Sequence, residues 1–161
     1  MPGLDHAANA VSRIIEHHHP YARRALPYIV PLLARVAGFH GKRNEKLPAL
    51  CEAGHALADT LEAHLDEEEL ELFPALLGAP ARRGERPVLS PPICRHHGEV
   101  ARLLQRIRFL ADGYAAPEWA SLAYRVLMEE LEALEEDVSE YLHLERFVLL
   151  PRVESEYGPA C

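Results

Sequence analysis

Cysteine is scarce in this sequence and odd in number: Cys51, Cys94 and Cys161, with no CxxC spacing. That pattern excludes a disulfide framework and a zinc knuckle, and it leaves the thiols as free side chains. A basic surplus is missing too. The formal charge is −8, whereas a nucleic-acid binder needs a basic face. No apolar run approaches the roughly 20 residues that span a bilayer. The opening stretch, MPGLDHAANAVSRIIEHHH, has no charged-then-apolar leader pattern. A cytoplasmic location, without membrane or nucleic-acid partners, is the expectation. No segment alternates polar and apolar residues as a strand does.

What is present is helical periodicity. The 161 residues, 48% hydrophobic and 26% charged, suit one soluble domain with a sizeable core. The first long segment, about residues 19–40, carries His19, Ala22, Leu26, Ile29, Leu33, Val36 and His40 on one stripe. Pro20 suits a first turn, while Pro27 and Pro31 are expected to kink the helix. A lead-in over residues 5–16 is expected as a separate turn or helix. The second segment, about 46–72, aligns Leu50, Leu57, Leu61, His64 and Glu68. GAPARRGERPVLSPP, residues 78–92, reads as the central linker, with Ser90 capping a third helix that starts at Pro91 and Pro92. The third helix presents His97, Val100, Leu104, Ile107 and Ala111. The fourth presents Leu127, Leu131, Leu134, Val138, Tyr141, Glu145 and Val148. Trp119 and Tyr124 read as packing residues near its start. Short connections between four antiparallel helices make an all-α, up-down-up-down bundle spanning residues 1–161, with its core over 5–153.

Histidine is the abundant oddity, ten residues with three in a row at His17, His18 and His19. The core stripes also contain a near-repeat, HLDEEELELFP at 64–74 and EYLHLERFVLLP at 140–151. In register, His64 meets Tyr141, Glu68 meets Glu145 and Pro74 meets Pro151. His19 and His97 start helices one and three, whereas His64 with Glu68 and Tyr141 with Glu145 end helices two and four. In an up-down bundle all of these fall at the same end. Three imidazoles, two carboxylates and a phenol are costly to bury unpaired, and a metal ion satisfies them together. Residues four apart share a helix face, so each pair aims two donors at one centre. Imidazole with carboxylate suits iron, manganese or zinc, and the paired arrangement suggests two ions bridged by carboxylates.

HHPYARRALP, VAGFHG, HLDEEELELFP, RHHGEV and YLHLERFVLLP together resemble the hemerythrin-like (HHE) domains, and within them the iron–sulfur cluster repair di-iron proteins. The resemblance covers about residues 5–153. It implies a four-helix bundle holding a non-haem di-iron centre that handles nitric oxide, dioxygen or peroxide in nitrosative or oxidative stress. By position, it implies the ligands His19, His64, Glu68, His97 and Glu145, with Glu68 and Glu145 bridging and an oxo or hydroxo bridge between the ions. The repair proteins carry an extra N-terminal domain with adjacent cysteines, which these residues do not include, so thiol-mediated repair is not carried over. Tyr141 stands where the family has a histidine ligand.

Three roles compete for Tyr141: an iron-bound phenolate, a protonated phenol that donates a hydrogen bond to a bound small ligand, or plain packing. His40 matches a histidine of the family pattern, yet it follows His19 by about 30 Å of helix at ~1.5 Å per residue. It is expected as a core or cap residue at the far end. His143 points to another face than Tyr141, His96 turns about 100° away from His97, and His18 is the reserve for His19. His17 precedes Pro20 in a turn, and His6 and His55 have no pattern. Asp66, Glu67, Glu69 and Glu71 read as a solvated acidic face. Besides small-ligand binding or reduction, two functions fit: an oxidase, peroxidase or oxygenase acting on an organic substrate, and an iron or oxygen sensor. No feature selects a protein partner.

Overall fold

The computed structural model describes residues 2–77 and 91–157, and all regular structure among them is helical. Residues 78–90, with most of the expected linker and the Ser90 cap, lie outside the described residues. The α-helices are α1 (Pro2–Arg13), α2 (His19–His40), α3 (Lys46–Glu67), α4 (Phe73–Leu76), α5 (Pro91–Leu110), α6 (Leu122–Leu144) and α7 (Leu150–Tyr157). Three π-helical turns, Ile14–His18, Glu68–Leu72 and Glu145–Leu149, join α1 to α2, α3 to α4 and α6 to α7. The chain therefore forms four rods. α2 packs on α3 and α6, α3 packs on α5, and α5 meets α6 more sparsely. That is the neighbour order of an up-down-up-down four-helix bundle.

The apolar stripes close a continuous core in which Leu50, Leu57, Leu61, Val100, Leu127 and Leu131 are buried. Burying each leucine removes apolar area worth about 1.5–3 kcal/mol. Pro27 and Pro31 lie on the exposed side of α2, which continues unbroken past both. There the carbonyls that lose their N–H partners face water. At the end far from the π-turns, the α2–α3 connection is fixed by Asn44. Its Oδ1 accepts from Lys46 N–H at 3.1 Å, and its Nδ2 donates to the Tyr124 hydroxyl at 2.9 Å. Ser121 caps α6 by accepting from Tyr124 N–H, and Tyr124 and Trp119 pack there edge to face.

The lead-in is a helix of its own, α1, and runs into α2 through the first π-turn. A π-turn adds one residue to the local helix circuit, and here His19 N–H bonds to Ile14 C=O. Upstream the buried stripe runs Ala7, Ala10, Val11, Ile14, His18; downstream it runs His19, Ala22, Leu26, Ile29. The extra residue lets α1 continue rod one while keeping its apolar face inward. α1 then covers α4 and the Glu145–Leu149 turn, and an Arg13–Glu140 ion pair ties its end to α6. In rod four the same device puts Leu149 in the core, while Val148, expected there, is only half-buried. No helix among the described residues is long and apolar enough to cross a membrane.

Candidate metal centre

All three π-turns lie at one end of the bundle, and each begins or ends on a polar residue of the core: His18, Glu68 and Glu145. π-turns are weaker than α-turns and concentrate at functional sites. Around them His64 and Glu68 are 0% exposed, Glu145 is 1% and His19 and Tyr141 are 2%. The His97 side chain retains 17% exposure.

His64, Glu68, His97 and Glu145 each bring one donor atom within 4.8 Å of the others. Glu145 Oε2 lies 2.8 Å from His97 Nε2 and 3.4 Å from His64 Nε2. Glu68 Oε1 lies 3.3 Å from His64 Nε2. The other oxygen of Glu68 faces a different group: His19 Nε2 is 3.2 Å from Oε2 and the Tyr141 hydroxyl donates to that same atom. One carboxylate thus separates two donor sets. His64, His97 and Glu145 stand on one side, His19 and Tyr141 on the other. The structure brings together all six residues singled out in the sequence.

Hydrogen bonding leaves this cluster incomplete. Glu68 Oε1, Glu145 Oε1, His64 Nδ1 and His97 Nε2 are buried without an aligned hydrogen-bond partner among the described residues. Leaving such a group unsatisfied costs about 1–3 kcal/mol, more for a charged one. Convergent imidazole and carboxylate donors of this kind fit divalent cations of the iron, manganese and zinc class. Burial pushes the His64 imidazole down from its ordinary range. Burial, helped by His64, His96 and Arg146, lowers His97 to about 3. Both rings are therefore neutral at pH 7, the form that ligates metals. Burial, then the Glu68 carboxylate, holds the Tyr141 hydroxyl well above its ordinary range.

Carboxylates orient two of the imidazoles from behind. His19 Nδ1 lies 2.7 Å from Glu69 Oε1, and Arg23 holds Glu69 and Asp66 in turn. The acidic run at 66–71 is thus only partly a solvated face, because Glu69 fixes a ring. His18 Nδ1 lies 3.0 Å from Asp137 Oδ1. His18 is 4% exposed, and neither its burial nor Asp137 follows from a straight-helix reading. The available signal was the offset between the stripe ending at His18 and the one starting at His19.

Of the remaining histidines only His96 borders the cluster. His40 Nε2 is 3.0 Å from Ser121 Oγ at the far end, with Trp119 and Tyr124 rings at 5.7 Å. It fastens rod one to the cap of α6, as a core or cap residue would. His143 is exposed and lies against Phe147. His6, His17 and His55 are exposed. His96 is half-buried, its ring 5.7 Å from that of His64 and its Nδ1 3.3 Å from Glu67.

The hemerythrin HHE cation binding domain model matches residues 10–153. The iron-sulfur cluster repair protein YtfE of Yersinia pseudotuberculosis serotype IB (strain PB1/+) is 29% identical over 147 residues, which cover 89% of this chain and 64% of that protein. YtfE of Yersinia pestis (strain Pestoides F) matches with the same identity and coverage. The chain spans 64% of the length of these curated relatives. With the bundle, the buried donor cluster and a match over most of its length, the chain belongs to the hemerythrin HHE cation binding domain family.

Proposed function

We propose that this chain is a di-iron protein that binds or reduces a small ligand (nitric oxide, dioxygen or peroxide) in a cytoplasmic response to nitrosative or oxidative stress, with iron–sulfur cluster repair as its setting. The observation that carries it is Glu68, a fully buried carboxylate whose two oxygens face separate donor sets. In this reading His19, His64, Glu68, His97, Tyr141 and Glu145 would hold the two ions, with Glu68 standing between the two donor sets. Manganese or zinc suits the same donors. An iron pair, when bound, supplies redox electrons and open coordination positions for a small ligand.

The chain's own residues supply the rest. Glu69 holds His19 in the tautomer that presents Nε2 inward. Phe73, itself buried, packs on the His19 ring at 5.4 Å and helps keep bulk water from the cluster. The Tyr141 hydroxyl keeps its proton and donates a hydrogen bond to Glu68, while a cation beside Glu68 would favour the phenolate instead. Support for the stress setting comes from the repair proteins named above.

Metal analysis after ferrous reconstitution is the primary test: two irons per chain are expected, and one zinc per purified chain would overturn the proposal. Stopped-flow spectroscopy of the reduced protein with nitric oxide, dioxygen and peroxide then separates reversible binding from turnover. One observation favours a second role, oxidation of an organic substrate. A cleft of about 470 Å³ between α5 and α6, lined by His97, Leu142, Arg146 and Phe147 among others, reaches the one partly exposed imidazole of the cluster. Its size is that of a small-molecule site. Consumption of dioxygen only when an organic reductant is present would favour it over simple ligand binding.

A further inference from the structure

Resting on the di-iron proposal, we infer that His18 is an additional metal ligand, delivered from rod one to the half of the site where Tyr141 occupies a histidine's position. Four observations converge on it.

The first is its place in the helix. His18 ends the buried stripe that precedes the π-turn and His19 begins the one that follows. Consecutive side chains of a regular α-helix diverge by about 100°; at this turn, with its one inserted residue, both rings lie inside, His18 4% and His19 2% exposed. The second is orientation. His18 and His19 are bound alike: in each, Nδ1 meets a carboxylate oxygen, Asp137 at 3.0 Å and Glu69 at 2.7 Å. That contact selects the tautomer with its lone pair on Nε2, the arrangement that prepares an imidazole for a cation.

The third is the unmet demand. His18 Nε2 is shut off from solvent and has no hydrogen-bond partner among the described residues. A buried imidazole with one nitrogen anchored and the other idle is otherwise a net loss. The fourth is location. The His18 ring stacks on Tyr141 at 6.1 Å with planes 27° apart, and the His19 ring meets the same phenol edge-on at 5.5 Å. His19 Nε2 also reaches the Glu68 oxygen that accepts from Tyr141, and His18 and the His64 ring, at 5.9 Å, flank the same phenol. Without His18 the Tyr141 side of Glu68 offers one imidazole and a phenol, whereas the opposite side has two imidazoles.

The test reconstitutes wild type, His18→Ala and Asp137→Asn with ferrous iron and follows retention of each equivalent under chelator competition, together with the visible spectrum of the oxidised protein. The expected result is two irons in wild type. His18→Ala loses the second equivalent and regains it with added imidazole. Asp137→Asn weakens that equivalent by about 10- to 100-fold. Both variants retaining both irons as tightly as wild type, with an unchanged spectrum, would overturn the inference while leaving the di-iron proposal intact. Wild type holding fewer than two irons would defeat both. Circular dichroism of the metal-free proteins guards against misfolding, and Asp137→Asn, which leaves the imidazole in place, decides the matter if His18→Ala does not fold.

Discussion

At the scale of single residues, Tyr141 makes the sharpest prediction. Its hydroxyl is buried on Glu68, and a phenolate on ferric iron absorbs visible light. The oxidised, iron-loaded protein should show a charge-transfer band that vanishes in Tyr141→Phe. A colour unchanged by that substitution sinks ligation and leaves the hydrogen-bond donor role. His40 makes the complementary one. Because it braces Ser121 at the other end of the bundle, His40→Ala should lower stability by about 1 kcal/mol while leaving iron content untouched. Loss of iron in that variant would contradict its placement. The five proposed ligand positions and Tyr141 were legible because each lies on an apolar stripe of one rod. His18 was not, since it ends one stripe where the register of the long helix starts at its neighbour His19. Asp137 and Glu69 were illegible for another reason: they act across rods, on rings that sequence spacing does not connect to them.

At the scale of elements, the π-turns explain where stripe-reading lost register. Val148 continues the pattern by a step of three from Glu145, yet Leu149 is the residue in the core, because the turn Glu145–Leu149 carries one residue more than an α-turn. The turn ending α5 shows strain of a different sort. Asp112 and Tyr114 both adopt positive φ, 51° and 68°, on either side of Gly113. Non-glycine residues enter that region at a cost of about 1–3 kcal/mol. The Tyr114 hydroxyl offsets it by donating to Glu135, which Arg108 also grips. Burial, then Glu135, raises the Tyr114 pKa above its ordinary value of 10.0. A raised folded-state value means stability present below the unfolded pKa and lost as pH climbs through the folded one. Urea denaturation from pH 8 to 11 should therefore show an alkaline decline beginning near pH 10 that is shallower in Tyr114→Phe. Parallel curves would show that this phenol does not contribute to it.

At the scale of the whole molecule, the end of the bundle that holds the metal donors is the end where backbone regularity is given up in three of four rods. The other end is held by Asn44, Ser121 and His40. Metal binding should therefore act as a fold-wide fastener. With ferrous iron at about 100 times its dissociation constant, linkage adds about 2.7 kcal/mol, and for a chain of this size that raises Tm by roughly 5–10 °C. Calorimetry with and without a chelator checks it, and identical melting curves would show that the buried cluster satisfies itself without an ion. The bundle as a whole was readable from periodicity. The lead-in was legible as a helix ahead of α2, but not its unbroken passage into α2 through a π-turn, because periodicity assumes that a helix keeps its count.

A helix is also a screw, and its buried stripe is the thread. Each π-turn is a skipped tooth, after which the thread resumes about 100° out of phase. Removing one exposed residue from the first skip, such as Glu16, would mend the thread into a regular α-helix and leave Ala7, Ala10 and Val11 facing the bundle. Removing one from a regular turn of α1 would instead rotate everything upstream by about 100° and take those residues off the core. Near its metal end, the chain can lose a residue where a rod already holds one too many, and not where its count is regular.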